Sequence, residues 1–252
     1  MESRDFVTSL ARGLAVIRSF GEDAQALTLS EVAQRAAISR AAARRFLLTL
    51  GELGYVTAVD NRFALTPRVL DLGYAFLSSQ DLPQTAHHFI ESVTVTTREA
   101  CSVCMLDGTE VVYVAKVPGT WVMTSTHSVG MRVPAYPTSM GRVLLAALPP
   151  ASLDRYFDEA DIEKLTPFTV TEEAALRGVL RQIAIDGYSV VDQELEEGLR
   201  SIAVPVYGKG GAVKAALTVC GNSSRVSIET MMREFLPTMR EAAAGLSAVL
   251  SR

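Results

Sequence analysis

The feature that most constrains the fold is TLSEVAQRAAISRAAARRFLLTLGELGYV, residues 28–56, where two helical periodicities are separated by only three residues. Thr28 and Glu31 have the spacing of a capping box, which starts a helix there and buries Val32, Ala33 and Ala36. Ala37, Ile38 and Ser39 follow, with Ser39 placed to cap a second helix and Gly54 placed to end it. In that second helix Ala43, Phe46, Leu47, Leu50 and Leu53 fall on one face. Arg40, Arg44 and Arg45 fall on the opposite face, with Ala41 and Leu48 beside them. Two short helices joined by so short a turn form a helix-turn-helix.

Taken alone, an arginine face is a solvated helix face. Its neighbours argue for more. Residues 7–20 repeat apolar positions at Val7, Leu10, Leu14 and Ile17 and stop at Gly21, which adds a helix in front. After Gly54 the period changes from 3.6 to 2, and YVTAV and RFALT read as two strands around an Asp60-Asn61 turn. Three helices and a hairpin make a winged helix-turn-helix, whose second motif helix enters the DNA major groove while the wing lies on the backbone or minor groove. Small alanines let such a helix settle deeply, and arginine forks reach phosphates or guanine edges. The candidate DNA-contacting residues are therefore Ser39, Arg40, Ala42, Arg44 and Arg45, with Arg62 on the wing and Arg12 on the first helix. Residues 1–68 carry nine arginines and no lysine against seven acidic residues, although the whole chain has a net charge of −4.

The 252 residues suffice for two modest domains. No apolar run is long enough to span a bilayer and no N-terminal signal pattern is seen, so a cytoplasmic protein without membrane partners is expected. Cys101, Cys104 and Cys220 suit a reduced compartment. Cys101-Ser-Val-Cys104 is formally a C-x-x-C, but in an alternating strand its thiols face opposite sides, and no further Cys or His completes a zinc set. No metal or cofactor is expected. A thiol–histidine enzyme remains open as an alternative that nothing local supports.

Downstream of the wing, Thr66 can cap and Pro67 suits a first helical position, with Val69, Leu70, Gly73 and Leu77 continuing a stripe. Pro83 interrupts, and Ala86, Phe89, Ile90 and Val93 resume. His87 and His88 are adjacent and point to different sides, so they form no metal pair. The expected organisation is 1–66 DNA-binding, 67–95 helical linker and dimerisation, and 96–252 an α+β domain. In the last, hairpins are read across Asp107-Gly108 and around the Gly-rich turn within 201–221, and a further strand in WVMTSTHSV. Helices are read at 138–148, at 171–187 and from Ser227 onward. An antiparallel sheet framed by helices on one side is expected.

A ligand pocket needs apolar walls and a few convergent polar groups. Ser139 and Met140 lie at a strand-to-helix junction whose amides suit a carboxylate, and Arg142 follows one turn in. DQELEEGLRS supplies Asp192, Glu194, Arg200 and Ser201, while Thr218 and Cys220, two apart on a strand, face one side. Each has a plainer role: Ser139 as a helix cap, Arg200 paired with Glu196 or Glu197, Thr218 and Cys220 as core, the acids as solvated charges. Trp121 and Met123 are further candidates to border an aromatic ligand, and His127 and Arg132 to meet an anion.

SLARGLAVI (9–17), residues 29–56, RFALTPRVLDLG (62–73), VPAYPTSMGRVLLA (133–146) and DQELEEGLRSIAVPV (192–206) together resemble the IclR family of bacterial transcriptional regulators. The wording of TPRVLDLG, AYPTSMGRVLLA and ELEEGLRSIAVPV is most similar to the subgroup controlling breakdown of aromatic acids through the β-ketoadipate pathway. Ala42 departs from the threonine many members carry in the recognition helix. The resemblance implies a winged helix-turn-helix, a dimerising helical linker and a GAF-like effector domain, acting as a dimer or dimer of dimers on a palindromic operator. It also implies a small carboxylate effector, aromatic by preference with an aliphatic or sugar acid as the second reading, and contact with RNA polymerase as one route of action. By position, Ser139, Met140, Thr218 and Cys220 align with ligand-contacting positions of the family, whereas Arg142 and Arg200 are added on charge alone.

Overall fold

The structure, a computed structural model, describes residues 5–21, 24–79, 81–121 and 128–251. The chain divides into two compact units, residues 1–76 and 77–252.

The first unit contains helices α1 (Thr8–Arg18), α2 (Leu29–Arg35) and α3 (Arg40–Glu52) and strands β1 (Leu27–Thr28), β2 (Val56–Val59) and β3 (Arg62–Leu65). The capping box forms: the Glu31 carboxylate accepts from the Thr28 amide at 2.7 Å, and the Thr28 hydroxyl accepts from the Glu31 amide at 3.4 Å. That hydrogen bonding lowers the Glu31 pKa. Ala37 takes a left-handed conformation at φ 51°, which makes the three-residue turn sharp enough to fold α3 across α2. Ser39 caps α3 by accepting from the Ala42 amide. At the far end Gly54 sits at φ 80°, and the Tyr55 and Gly54 amides donate to Leu50 and Gly51 carbonyls at 2.8 and 2.9 Å, closing a Schellman motif. Asp60 and Asn61 both have positive φ, the geometry of a type I′ hairpin turn. The wing gains a third strand not foreseen in the sequence, because β1 is only two residues long and pairs with β3.

The core of this unit joins Val16, Leu27, Val32, Ala33, Ala43, Leu47, Leu50 and Val56. Two expectations are corrected. Val7, Leu10 and Leu14 are exposed because α1 packs through its last turns, at Val16. Leu53, expected in the core, is half-exposed because it is the C-cap residue, where α3 has already run past its neighbours.

Thr66 caps a single 3-10 turn, Pro67–Val69, which leads into α4 (Leu70–Ser79). Leu77 lies among the residues whose side chains are outside the description. The next helix, α5 (Asp81–Thr97), contains Pro83.

The second unit is built on one antiparallel sheet in the order β6-β5-β4-β9-β8-β7. Its strands are β4 (Ala100–Asp107), β5 (Glu110–Val117), β6 (Arg132–Pro134), β7 (Ser189–Asp192), β8 (Leu199–Tyr207) and β9 (Val213–Asn222). The strand read in WVMTSTHSV falls mostly on 122–127, outside the described residues. On one face lie α5 and the C-terminal helix, which runs as α9 (Ile228–Thr230), a π-helical segment Met231–Phe235 and α10 (Leu236–Leu250). The other face carries α6 (Ser139–Ala146), α7 (Pro150–Glu159) and α8 (Glu173–Asp186). Helices thus cover both faces, not one, since both faces of the central strands are apolar: Val103, Val204 and Leu217 on one, Cys104, Ala203 and Ala216 on the other. The segment 67–95 is not uniform. Leu82, Ala86, Ile90 and Val93 of α5 are buried in the core of the second unit.

Candidate DNA-contacting helix and effector pocket

On α3, Arg40, Arg44 and Arg45 are exposed, as is Arg12 on α1. None of the four meets an acid in any ion pair among the described residues. Ala41 and Leu48 are exposed between them, so the face is low and cationic with an apolar strip. Ser39 spends its hydroxyl on the cap. Arg62 is turned back: it donates to the Ala26 carbonyl at 3.0 Å and lies 3.9 Å from the Glu31 carboxylate, bracing the wing. Arg68, unremarked in the sequence, donates to the Leu53 carbonyl at 2.9 Å and sits 5.9 Å over the Tyr55 ring, locking the end of α3.

In the second unit the amino end of α6 is capped by Thr138, not Ser139. Thr138 has extended backbone angles and its hydroxyl accepts from the Gly141 amide at 3.0 Å. A Cβ on Gly141 would come within 2.0 Å of the Ala135 carbonyl oxygen, so only glycine allows α6 to seat this closely. Ser139 and Met140 are fully buried in the first turn, and their amides have no acceptor among the described residues. The Thr218 hydroxyl donates to the Ile202 carbonyl at 3.1 Å and stands 3.3 Å from the Ser139 hydroxyl. Ser201 and Cys220 are cross-strand partners on the same face. A cavity of about 10 Å³ lies there, lined by Tyr113, Pro137, Thr138, Met140, Val191, Leu195, Leu199, Ser201 and Cys220. Of the predicted residues it therefore gathers Met140, Ser201 and Cys220, with Ser139 and Thr218 hydrogen-bonded to each other.

Tyr113, Pro137, Thr138, Val191, Leu195 and Leu199 were not among the pocket residues named from the sequence. Leu199 was within reach, since it lies two residues from Ser201 and so shares its face. Tyr113 and Val191 come from strands whose register only pairing decides. Burial keeps the Tyr113 phenol protonated by pushing its pKa up strongly, and pushes the Cys220 thiol up to about 11 against a lowering hydrogen bond from Thr218.

The charged candidates behave differently. Both terminal nitrogens of Arg142 donate to the Glu194 carboxylate at 2.6 Å, its Nε donates to the Tyr136 carbonyl at 2.8 Å, and the Val170 amide also donates to Glu194. Arg142 and Glu194 are both buried, so each neutralises the other and neither offers free charge to a ligand. Arg200 makes a forked pair with Asp192 at 2.8 Å for both bonds and donates to the Val226 carbonyl. Its partner is Asp192, not Glu196 or Glu197. Because Arg200 alternates with Ser201, Arg200 and Asp192 lie on the face opposite the cavity.

Trp121 is half-exposed beneath the Arg225 guanidinium at 4.9 Å, and Arg225 pairs with buried Glu99. Arg132 is held by Asp107 and Glu110, each at 2.7 Å. Met123 and His127 lie outside the described residues. Cys101 and Cys104 are buried in cores on opposite faces of the sheet, where desolvation raises both thiols well above their ordinary pKa.

A winged helix-turn-helix with free arginines, followed by an α+β unit that encloses a small neutral cavity, is the architecture of a DNA-binding regulator with a separate second unit. Residues 9–60 match the IclR helix-turn-helix domain and residues 74–248 match the family described as bacterial transcriptional regulator IclR C-terminal. The chain belongs to the IclR family of bacterial transcriptional regulators. It is 43% identical over 243 residues to the Pca regulon regulatory protein of Pseudomonas putida, covering 96% of this chain and 84% of that one. It is 35% identical over 248 residues to the p-hydroxybenzoate hydroxylase transcriptional activator of Acinetobacter baylyi, covering 96% and 92%. A solved IclR homolog complexed with 4-hydroxybenzoate, from Microbacterium hydrocarbonoxydans, superposes with a TM-score of 0.83 at 27% identity, covering 96% of this chain and 98% of that one. These relatives are regulators, and the chain is a regulator and not an enzyme. No described helix is long and apolar enough to cross a membrane.

Proposed function

We propose that this chain controls genes for aromatic-acid breakdown by binding a palindromic operator as a dimer or dimer of dimers, with a small aromatic carboxylate as its effector. The observation that carries the reading is the head of α6, where two buried amides, Ser139 and Met140, have no acceptor among the described residues and Met140 lines a cavity with largely apolar walls. A helix amino terminus receives a carboxylate, and Leu195, Leu199 and Val191 suit a ring. The Ser201 hydroxyl and the protonated Tyr113 phenol suit a ring hydroxyl. Similarity to the Pca and p-hydroxybenzoate regulators and to the 4-hydroxybenzoate complex supports the same class of ligand.

A cavity of about 10 Å³ holds one water at most, so a ring enters only as the walls part. The wall at Leu195 belongs to the turn that Glu194 ties to Arg142, and effector entry therefore works against α6 and this turn. A ligand changes DNA affinity only by preferring one arrangement of the protein over another, and this strained entry supplies the preference.

The test is a thermal-shift panel of 4-hydroxybenzoate, protocatechuate, β-ketoadipate and glyoxylate on the full chain. At about 100 times its Kd a ligand stabilises the native state by roughly 2.7 kcal/mol, a shift of a few degrees. Shifts confined to the aromatic acids support the reading, shifts with aliphatic acids alone replace the effector class, and no shift removes the pocket.

A further inference from the structure

Arg12, Arg40, Arg44 and Arg45, exposed in the first unit without an acidic partner, are not equivalent. Arg40 and Arg44 are one turn apart on one side of α3, whereas Arg45 lies about 100° further round and faces α1. There Arg45 and Arg12 line a single groove of about 260 Å³, completed by Ser9, Ala42, Phe46 and Thr49. No acid lines this groove. Its floor, Ala42 and the Phe46 ring, is half-buried and cannot solvate charge. The Thr49 hydroxyl is spent on the Arg45 carbonyl at 3.0 Å, while the Ser9 hydroxyl is free among the described residues. Two guanidiniums over an apolar floor without a counter-ion repel each other. One anion seated between them turns that repulsion into two charge-assisted hydrogen-bonding forks.

We propose that this groove is a phosphate clamp, in which Arg12 of α1 and Arg45 of α3 grip one backbone phosphodiester of the DNA, with Ser9 as a third donor. The inference rests on the DNA-binding reading and sharpens it: Arg45 leaves the base-reading set, and sequence discrimination falls to the Arg40–Arg44 side of α3. A backbone contact fixes the register of the helix in the groove without reading sequence.

The test measures affinity of the full chain against sodium chloride concentration on two duplexes: one selected by the wild-type chain from random DNA, and a scrambled duplex of the same composition. Arg12→Ala, Arg45→Ala and the double variant are compared, with melting curves to show that these exposed, unpaired positions leave the fold intact. Each single variant weakens both duplexes by the same factor. The double variant lowers the magnitude of the log–log salt slope by about 0.9 per protomer, the value for one phosphate. Ala42→Glu adds a carboxylate at the groove floor, in the first turn of α3 where an acid suits the helix, and weakens both duplexes alike. A slope loss of about 1.8 per protomer for the double variant means two separate phosphates and overturns the clamp, as does an unchanged slope. A tenfold change in the ratio of the two affinities on Arg45→Ala returns that residue to base reading and also overturns it. Absence of salt-dependent binding by the wild-type chain to either duplex removes the DNA-binding reading and the clamp together.

Discussion

The arginines singled out in the two units are used in opposite ways. In the first, Arg12, Arg40, Arg44 and Arg45 stand without acids, while Arg62 and Arg68 hold the wing and the end of α3 and Arg35 donates to the Ser19 carbonyl. In the second, Arg142, Arg200, Arg225 and Arg132 are all consumed in ion pairs with Glu194, Asp192, Glu99 and the Asp107–Glu110 hairpin. Both units sit in one polypeptide, so the contrast reflects what each surface must meet. DNA brings many fixed phosphates and releases their counter-ions on contact, so cations are left free for it. The small carboxylate proposed for the second unit would bring one charge into a cavity, where an unpaired guanidinium would be costly before the ligand arrives. The second unit offers amide and hydroxyl donors there instead.

The sharpest break of this contrast is to unpair an arginine of the second unit. Glu194→Ala strands Arg142 in the core and is expected to cost about 3–5 kcal/mol, whereas Arg142→Met with Glu194→Leu recovers most of that loss. Urea unfolding followed by fluorescence of Trp121, the single tryptophan, measures both. A loss below about 1 kcal/mol would mean the pair behaves like a solvent-exposed one. In the first unit the same operation acts on binding and not on stability. Arg44→Ala leaves melting unchanged and costs about 1–3 kcal/mol of discrimination between the selected and scrambled duplexes. An equal weakening of both would reassign Arg44 to the backbone. The smallest effect separates neighbours on β8. Ser201→Ala weakens aromatic-acid binding by about 0.5–1.5 kcal/mol, and Arg200→Met, on the far face, leaves the Kd unchanged. Calorimetric titration distinguishes the two, and a weaker Kd for Arg200→Met would place its guanidinium within the ligand's reach.

The DNA-binding unit was legible almost residue by residue because its signals are local. A capping box spans four residues, a type I′ turn is defined by two residues of positive φ, and the Schellman end of α3 closes around Gly54. The pocket was legible only in part. Met140, Ser201 and Cys220, named through segments and alternation, line the cavity, whereas Arg142, Glu194, Arg200 and Asp192 are held by partners that the chain brings together from a distance.

What the sequence alone determined, then, is the helices and hairpin of the first unit, the caps of α2 and α3, and the cationic face of α3, since each depends on neighbours within one or two helical turns. Tertiary structure decided the rest. The order β6-β5-β4-β9-β8-β7 sets which strand faces meet which helices, and it puts Ser201 and Arg200 on opposite sides. It also brings Arg142 against Glu194, 52 positions away along the chain. Whether a charge is free or spent depends on which other charge folding places beside it, and no local pattern of residues carries that information.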